Sequence, residues 1–204
     1  MTRIEDQAVV LFQGDSITDC ERNRENDNDL GRGYALMAAA VFSSKYPKKQ
    51  VKFINRGISG HRVKHLQERW QQDCLGLKPT WVSIYVGIND SCRNEPTSVE
   101  AYAEGYRDLI VQTKETLNAK LILVEPFVLP VPEDRKPWRE DLDPKINAVR
   151  ELAREFNTLY VPLDGLFAQA STLAPPRYWA PDGVHPSPAG HALIAEAWLD
   201  AVQA

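Results

Sequence analysis

The order of apolar segments along the chain is the feature that most constrains its fold. Short runs rich in β-branched and aromatic residues alternate with longer segments whose apolar residues recur at helical spacing. The predicted strands cover residues 8–12, 51–54, 81–86, 121–124 and 159–161. This alternation predicts an α/β fold, because parallel strands need helical crossovers that cover both faces of the sheet. Five strands suggest a flavodoxin-like order, and 204 residues fit one domain over residues 1–204.

Helical periodicity predicts the helices between these strands. They cover residues 33–45, 63–75, 96–117, 143–157, 163–170 and 188–202. Two segments are predicted to be irregular, residues 126–137 and 174–186. The first contains four prolines, which regular helix does not accommodate. A lid and a subunit contact remain as alternative roles for residues 126–137.

Composition limits the partners and the compartment of the protein. A net charge of −4, without a run of five or six like charges, argues against a nucleic-acid partner. The odd set of Cys20, Cys74 and Cys92 lacks paired spacing, which indicates reduced thiols and a cytoplasmic protein. The first apolar run is too short for a signal peptide, and no stretch approaches the ~18 apolar residues of a membrane span. We therefore expect no membrane partner. Whether the protein forms a homo-oligomer is left open by the sequence.

Four polar turns interrupt this pattern, and three of them follow the first three predicted strands. They are residues 14–18, 55–60, 87–90 and, before the last helix, 182–186. The carboxyl ends of parallel strands lie at one edge of a sheet, and the last helix can return the fourth turn to that edge. One such turn often only caps a helix, whereas four at one edge predict a functional site.

The side chains in these turns are those that acyl transfer requires. Ser16 supplies a hydroxyl nucleophile, and His185 supplies a general base. Asp182 precedes His185 by three residues, so one turn can bring the carboxylate to the imidazole and fix its tautomer. The backbone N–H groups of Ser16 and Gly60 and the side-chain amide of Asn89 can stabilise an oxyanion.

The four turns resemble the sequence blocks of the SGNH (GDSL) hydrolase family. In the family's order these are GDS at residues 14–16, glycine at 60, GIND at 87–90 and DGVH at 182–185. The resemblance implies a three-layer α/β/α sandwich with a five-stranded parallel sheet. It implies that Ser16, His185 and Asp182 form a catalytic triad, and that Ser16, Gly60 and Asn89 form the oxyanion hole. We expect no cofactor.

A closer similarity is to the bacterial acetylxylan esterases of this family. It rests on GDSITDC at residues 14–20, NRGISG at 55–60, RW at 69–70, WVSI at 81–84 and HPSPAGH at 185–191. The similarity implies a serine esterase that removes small acyl groups, acetyl above all, from carbohydrates such as xylo-oligosaccharides. Two alternatives remain: a lipid or thioester acylhydrolase with the same machinery, and a non-catalytic binding protein on the same fold.

Other side chains are weaker candidates for a role in the site. Trp179 could stack on a sugar ring, although an aromatic residue in a loop is also an ordinary structural anchor. His61 and His65 have the spacing of metal ligands on a helix, but no acidic motif adjoins them, so we expect no metal. Asp15 is predicted to support its turn, and Asp90 to form hydrogen bonds within its loop.

Overall fold

Five parallel strands form the centre of the protein. In a computed structural model that describes residues 2–91 and 96–204, they form one sheet in the order β2-β1-β3-β4-β5. The strands are β1 (Val9–Gly14), β2 (Lys52–Asn55), β3 (Trp81–Tyr85), β4 (Lys120–Val124) and β5 (Leu159–Val161). The order confirms the flavodoxin-like prediction.

Helices precede, connect and follow these strands. They are α1 (Ser16–Asp19), α2 (Tyr34–Lys45), α3 (Val63–Asp73), α4 (Ile88–Ser91), α5 (Val99–Leu117), α6 (Trp138–Glu155), α7 (Leu163–Ala170), α8 (Pro176–Trp179) and α9 (Pro188–Ala201). Short 3-10 turns cover Pro47–Lys49, Leu75–Leu77 and Glu133–Arg135. The main helices and the strands lie within two or three residues of the predicted bounds, with the exception of α6.

Two buried clusters cover the two faces of the sheet, which confirms the predicted three-layer sandwich. Val10 and Phe12 of β1 pack towards α2 and α9, whereas Leu11 between them packs towards α3, α5 and α6. Successive side chains of a strand point to opposite faces, so both faces of β1 must be apolar. The carboxyl ends of the parallel strands lie at one edge of the sheet and lead into the turns described below.

Helix α6 begins at Trp138, before the predicted start at residue 143, and Pro144 lies inside it. Leu142 is fully buried in a small cluster with Ile88, Val128 and Val184. Burial of a leucine contributes about 1.5–3 kcal/mol. We attribute the earlier start to this burial, which offsets the backbone hydrogen bond that Pro144 cannot donate.

Short helices account for the other differences from the predicted elements. α1, α4 and α8 each have four residues, too few to show a helical period. α8 lies in the segment predicted to be irregular and begins with Pro176, whose fixed φ suits a first helical position.

Two of the three cysteines can be placed. Cys20 and Cys74 are free thiols, and burial raises the pKa of Cys74 to about 12. Cys92 lies outside the described residues. Within the described part of the chain, no helix is long and apolar enough to cross a membrane.

Candidate active site

The turn between β1 and α1 places Ser16 at the carboxyl edge of the sheet. Asp15 caps α1, since its Oδ1 accepts a hydrogen bond from the Ile17 N–H over 3.0 Å, as predicted for a residue that supports the turn. Burial raises the pKa of Asp15 to about 7. Ser16 is the first residue of α1, so its N–H has no partner within the helix and can face a ligand.

Ser16, His185 and Asp182 form a continuous chain of hydrogen bonds. Ser16 Oγ lies 3.0 Å from His185 Nε2, and His185 Nδ1 lies 2.7 Å from Asp182 Oδ2. Asp182 Oδ1 also accepts the backbone N–H groups of His185 at 2.7 Å and Val184 at 3.0 Å. Burial raises the pKa of Asp182, but the hydrogen bonds from the His185 side chain and from the two backbone N–H groups outweigh burial and lower it overall. An ionised carboxylate here keeps the proton on Nδ1 and the lone pair of Nε2 towards Ser16.

The segment of residues 126–137 packs against the turn that carries Asp182 and His185. Gly183 has φ +82°, and a Cβ atom there would lie 2.2 Å from the Val131 carbonyl oxygen and 2.5 Å from that of Leu129. The Leu129 N–H donates to the Gly183 carbonyl over 2.8 Å, and Phe127 is buried. The first part of this segment is therefore packed support for the turn. The lid and the subunit contact both remain predictions.

Gly60 lies on the loop after β2, and Asn89 lies on the short helix α4 after β3. Gly60 has φ +81°, a conformation that a residue with a side chain rarely adopts. The Asn89 side chain is nearly buried, and its Nδ2 donates to the His61 carbonyl over 3.2 Å. This hydrogen bond ties the Asn89 amide to the residue that follows Gly60.

Asp90 links α4 to the start of α3 from the protein interior. The fully buried carboxylate accepts the Val63 N–H at 3.2 Å and the Thr97 hydroxyl at 2.8 Å. Burial raises the pKa of Asp90 to about 6. The prediction of hydrogen bonds within the loop of Asp90 missed the contact with Val63, which joins α4 to the first residue of α3.

The rings of His61 and His65 are 4.9 Å apart, but each has a hydrogen-bond partner. Nδ1 of His61 accepts from Arg69 Nε, and Nδ1 of His65 accepts from the Arg62 N–H. Burial, and then the charge of Arg69, lower the pKa of His61 to about 4. In residues 2–91 and 96–204 no group of three or more His, Cys, Asp or Glu side chains could hold a metal ion.

A cavity of about 520 Å³ opens beside Ser16 and His185. Its lining is mainly polar or charged: Ser16, Ile17, Asp19, Cys20, Glu21, Arg24, Ser59, His185, Pro186 and His191. His191 accepts the Tyr34 N–H at Nδ1, so its neutral ring carries the proton on Nε2, which lies 3.5 Å from Cys20 Sγ. Burial, and then the charge of His185, lower the pKa of His191 to about 4. The cavity thus offers hydrogen-bond partners for a polar ligand.

Trp179 lies near the triad in sequence but does not line this cavity. Its indole N–H donates to the carbonyls of Ala170 at 3.0 Å and Ala174 at 3.3 Å, and its ring packs partly against the main core. These contacts anchor the segment before His185. A role of Trp179 in stacking on a sugar stays a prediction.

Arg69 is a residue at the site that sequence reasoning missed. Its guanidinium contacts both His61 and the carbonyl of Gly14, just before Ser16. The only signal available for it was the RW pair at residues 69–70, which contributes to the similarity with acetylxylan esterases.

Comparison with known proteins identifies the family of this chain. The sequence profile of the GDSL-like Lipase/Acylhydrolase family matches residues 12–193. The chain belongs to this family. An acetylxylan esterase of Geobacillus stearothermophilus is 35% identical to this chain, and the match covers 93% of this chain and 91% of the relative.

Solved structures extend the similarity to the whole fold. A crystal structure described as a GDSL-like lipase from Parabacteroides merdae has a TM-score of 0.93 and 38% identity, and covers 99% of this chain and 98% of its own. The crystal structure of an acetylxylan esterase from Geobacillus stearothermophilus has a TM-score of 0.91 and 33% identity, with 98% and 96% covered. The protein is therefore a carboxylic ester hydrolase with the fold that the GDSL-like family members share.

Proposed function

We propose that this protein is a serine esterase that removes acetyl groups from acetylated carbohydrates, with short xylo-oligosaccharides as the substrate class. The observation that carries the proposal is the hydrogen-bonded chain of Ser16, His185 and Asp182, with contacts of 3.0 and 2.7 Å. Membership of the GDSL-like family and similarity to proteins named acetylxylan esterases support the choice of reaction and substrate.

In the first half of the proposed reaction, His185 Nε2 takes the proton of Ser16 as Oγ attacks the carbonyl carbon of the acetyl ester. The carbonyl oxygen becomes an oxyanion, which the N–H groups of Ser16 and Gly60 and the amide of Asn89 stabilise. His185 then returns the proton to the departing sugar oxygen. The sugar leaves with a free hydroxyl group, and the acetyl group stays on Ser16.

Water completes the proposed reaction at the same groups. His185 Nε2 removes a proton from a water molecule, whose oxygen attacks the acetyl carbonyl carbon on Ser16. The second tetrahedral species collapses when His185 returns the proton to Ser16 Oγ, and the product departs as acetic acid, which ionises to acetate in water. Asp182 stays ionised in both halves and stabilises the imidazolium that forms twice.

The polar and charged side chains at the cavity beside Ser16 support a sugar, rather than a lipid, as the acyl acceptor. Asp19, Glu21, Arg24 and Ser59 are among its lining residues, and such groups form hydrogen bonds with hydroxyl groups. A long acyl chain would instead need a continuous apolar lining. The free thiols Cys20 and Cys74 support a cytoplasmic location, in which the substrates would be short oligosaccharides.

The Ser16→Ala variant tests the proposed mechanism. It should abolish hydrolysis of 4-nitrophenyl acetate while the circular dichroism spectrum and the melting temperature stay those of the native protein. Turnover at the native rate in this variant would refute the serine mechanism.

Acetyl release from acetylated xylo-oligosaccharides, simple sugar acetates and acyl thioesters then identifies the substrate class. A preference for thioesters or long-chain esters would favour the acylhydrolase alternative.

A further inference from the structure

The guanidinium of Arg69, which is largely shielded from solvent, lies between two loops that carry proposed oxyanion-hole donors. Arg69 is on α3, and its side chain is 11% exposed. Its Nη2 donates to the Gly14 carbonyl over 3.4 Å, and its Nε donates to His61 Nδ1 over 3.2 Å. Gly14 is two residues before Ser16, and His61 directly follows Gly60. One side chain therefore contacts the turn of Ser16 and the loop of Gly60.

The third proposed donor is connected to Arg69 through His61. The His61 carbonyl accepts from Asn89 Nδ2 over 3.2 Å, which fixes the plane of the amide relative to the Gly60 loop. Since His61 Nδ1 accepts from Arg69, the neutral ring carries its proton on Nε2. Burial and the charge of Arg69 hold the pKa of His61 near 4, so this contact persists at neutral pH.

The guanidinium is itself held in one orientation. Its Nη1 donates to Asp73 Oδ2 over 3.0 Å, one helical turn later on α3. The Asp73 carbonyl accepts from the Gln13 side chain over 2.7 Å, which ties the end of α3 to β1. A planar guanidinium with three partners in different directions has little freedom to rotate, and a lysine ammonium cannot reproduce that fork.

We propose that Arg69 is a positioning residue of the oxyanion hole, which holds the Ser16 turn, the Gly60 loop and the Asn89 amide at fixed mutual distances. The inference rests on the proposed function, because it assigns those three groups to the oxyanion. Their contacts with the substrate strengthen only as the tetrahedral oxygen forms. A shift of about 1 Å in such groups can cost about 100-fold in rate. Loss of Arg69 should therefore lower kcat and leave KM nearly unchanged.

Two variants test this role with 4-nitrophenyl acetate as substrate. Arg69→Met removes all three hydrogen bonds and keeps an apolar side chain of similar length, and Arg69→Lys keeps the charge without the fork. We expect both to lower kcat about 10- to 100-fold, with KM within about twofold of the native value. Inhibition by an alkylboronic acid, which forms a tetrahedral adduct with a serine Oγ, should weaken by a similar factor. If Arg69→Met does not fold, Arg69→Lys decides the result.

Arg139→Met is the matched control. Arg139 lies on α6 and, like Arg69, forms an ion pair with an aspartate one helical turn later, with 2.7 Å between its Nε and Asp143 Oδ1. Its Nη2 also donates to Asp164 Oδ2 over 3.0 Å. These partners lie on α6 and α7 and not on the elements that carry Ser16, Gly60 and Asn89, so we expect its kcat within about twofold of the native value.

The outcomes separate the inference from the proposed function. Three results would each overturn the positioning role: native kcat in both Arg69 variants with a lower melting temperature, a raised KM at native kcat, or an equal loss of kcat in Arg139→Met. Unchanged boronic acid inhibition in variants of reduced kcat would overturn it as well. Full activity of Ser16→Ala would instead overturn the proposed function, and the inference with it.

Discussion

Replacement of Asp182 by asparagine would test whether this carboxylate sets the position of the proton on His185. In the native turn, Asp182 Oδ1 accepts the N–H groups of Val184 and His185, while Oδ2 accepts from His185 Nδ1. An asparagine must keep its carbonyl oxygen on the two backbone donors, because its amide nitrogen cannot accept a hydrogen bond. Its NH₂ group then faces Nδ1, and the imidazole changes to the tautomer with its proton on Nε2.

The size of the effect follows from the contact between His185 and Ser16. A protonated Nε2 cannot accept the Ser16 proton across the 3.0 Å contact. The equivalent change in a Ser-His-Asp protease lowers kcat about 10⁴-fold. Here the Asp182 side chain is 47% exposed, so water can support the productive tautomer for part of the time. We therefore expect a loss in kcat of about 10³-fold, or about 4 kcal/mol of activation free energy.

Initial rates with 4-nitrophenyl acetate measure this loss, with Ser16→Ala as the background rate. Asp29→Asn is the matched control, because the Asp29 carboxylate also accepts two backbone N–H groups, those of Asn23 and Gly31, but has no histidine partner. Its kcat should equal that of the native enzyme. A loss of less than about tenfold in Asp182→Asn, with the native melting temperature, would refute the tautomer argument.

Three further substitutions examine the surroundings of the triad. Asp15 is fully buried with a pKa of about 7, so the fold favours the neutral acid, and this carboxyl lowers native stability progressively as pH rises from about 4 to about 7. The Asp15→Asn variant keeps the hydrogen bond from the Ile17 N–H but has no carboxyl to ionise. It should therefore lose that pH dependence and be more stable than the native protein at higher pH by an amount on the order of a few kcal/mol. A melting temperature that falls with pH as steeply as that of the native protein would contradict this. The Gly183→Ala variant would place a Cβ atom 2.2 Å from the Val131 carbonyl oxygen at a residue with φ +82°. We expect kcat to fall at least about tenfold and the free energy of unfolding to fall by about 1–2 kcal/mol. Initial rates measure the first effect and chemical denaturation measures the second. If Trp179 stacks on a sugar ring, Trp179→Leu should raise the KM for acetylated xylo-oligosaccharides several-fold and leave the KM for 4-nitrophenyl acetate unchanged. If the variant keeps the native KM for both substrates, only the anchoring role remains.

The fold follows from local patterns that survive in the structure. Leu11 packs on one face of the sheet and its neighbours Val10 and Phe12 on the other, as an apolar run in a doubly covered strand requires. Helices α3, α5 and α6 show a clear helical period because one side of each faces a core. The four-residue helices have no period, and the start of α6 depends on burial of Leu142 among residues distant in sequence. Such contacts leave no local pattern.

The candidate triad could be predicted for a similar reason. Topology alone brings the ends of β1, β2 and β3 to one edge, and the spacing of Asp182 and His185 lets one turn join them. The candidate catalytic side chains lie in polar turns that interrupt apolar runs, so they can be recognised in the sequence. The separation of Ser16 and His185 along the chain does not matter, because the sheet fixes where both turns lie.

The residues that hold the site together are hidden from this kind of reasoning. Asp90 reaches Val63, and Arg69 reaches Gly14, across loops that no local pattern connects. On α3, Arg69 stands among charged and amide side chains, where an arginine that faces solvent would look the same. The positioning role of Arg69 depends on its contact with Gly14, 55 residues away, and on a shielding from solvent that arises only when the layers pack together. Positioning residues of this kind become visible only when loops are seen together, and their loss should affect the rate of reaction more than the binding of substrate.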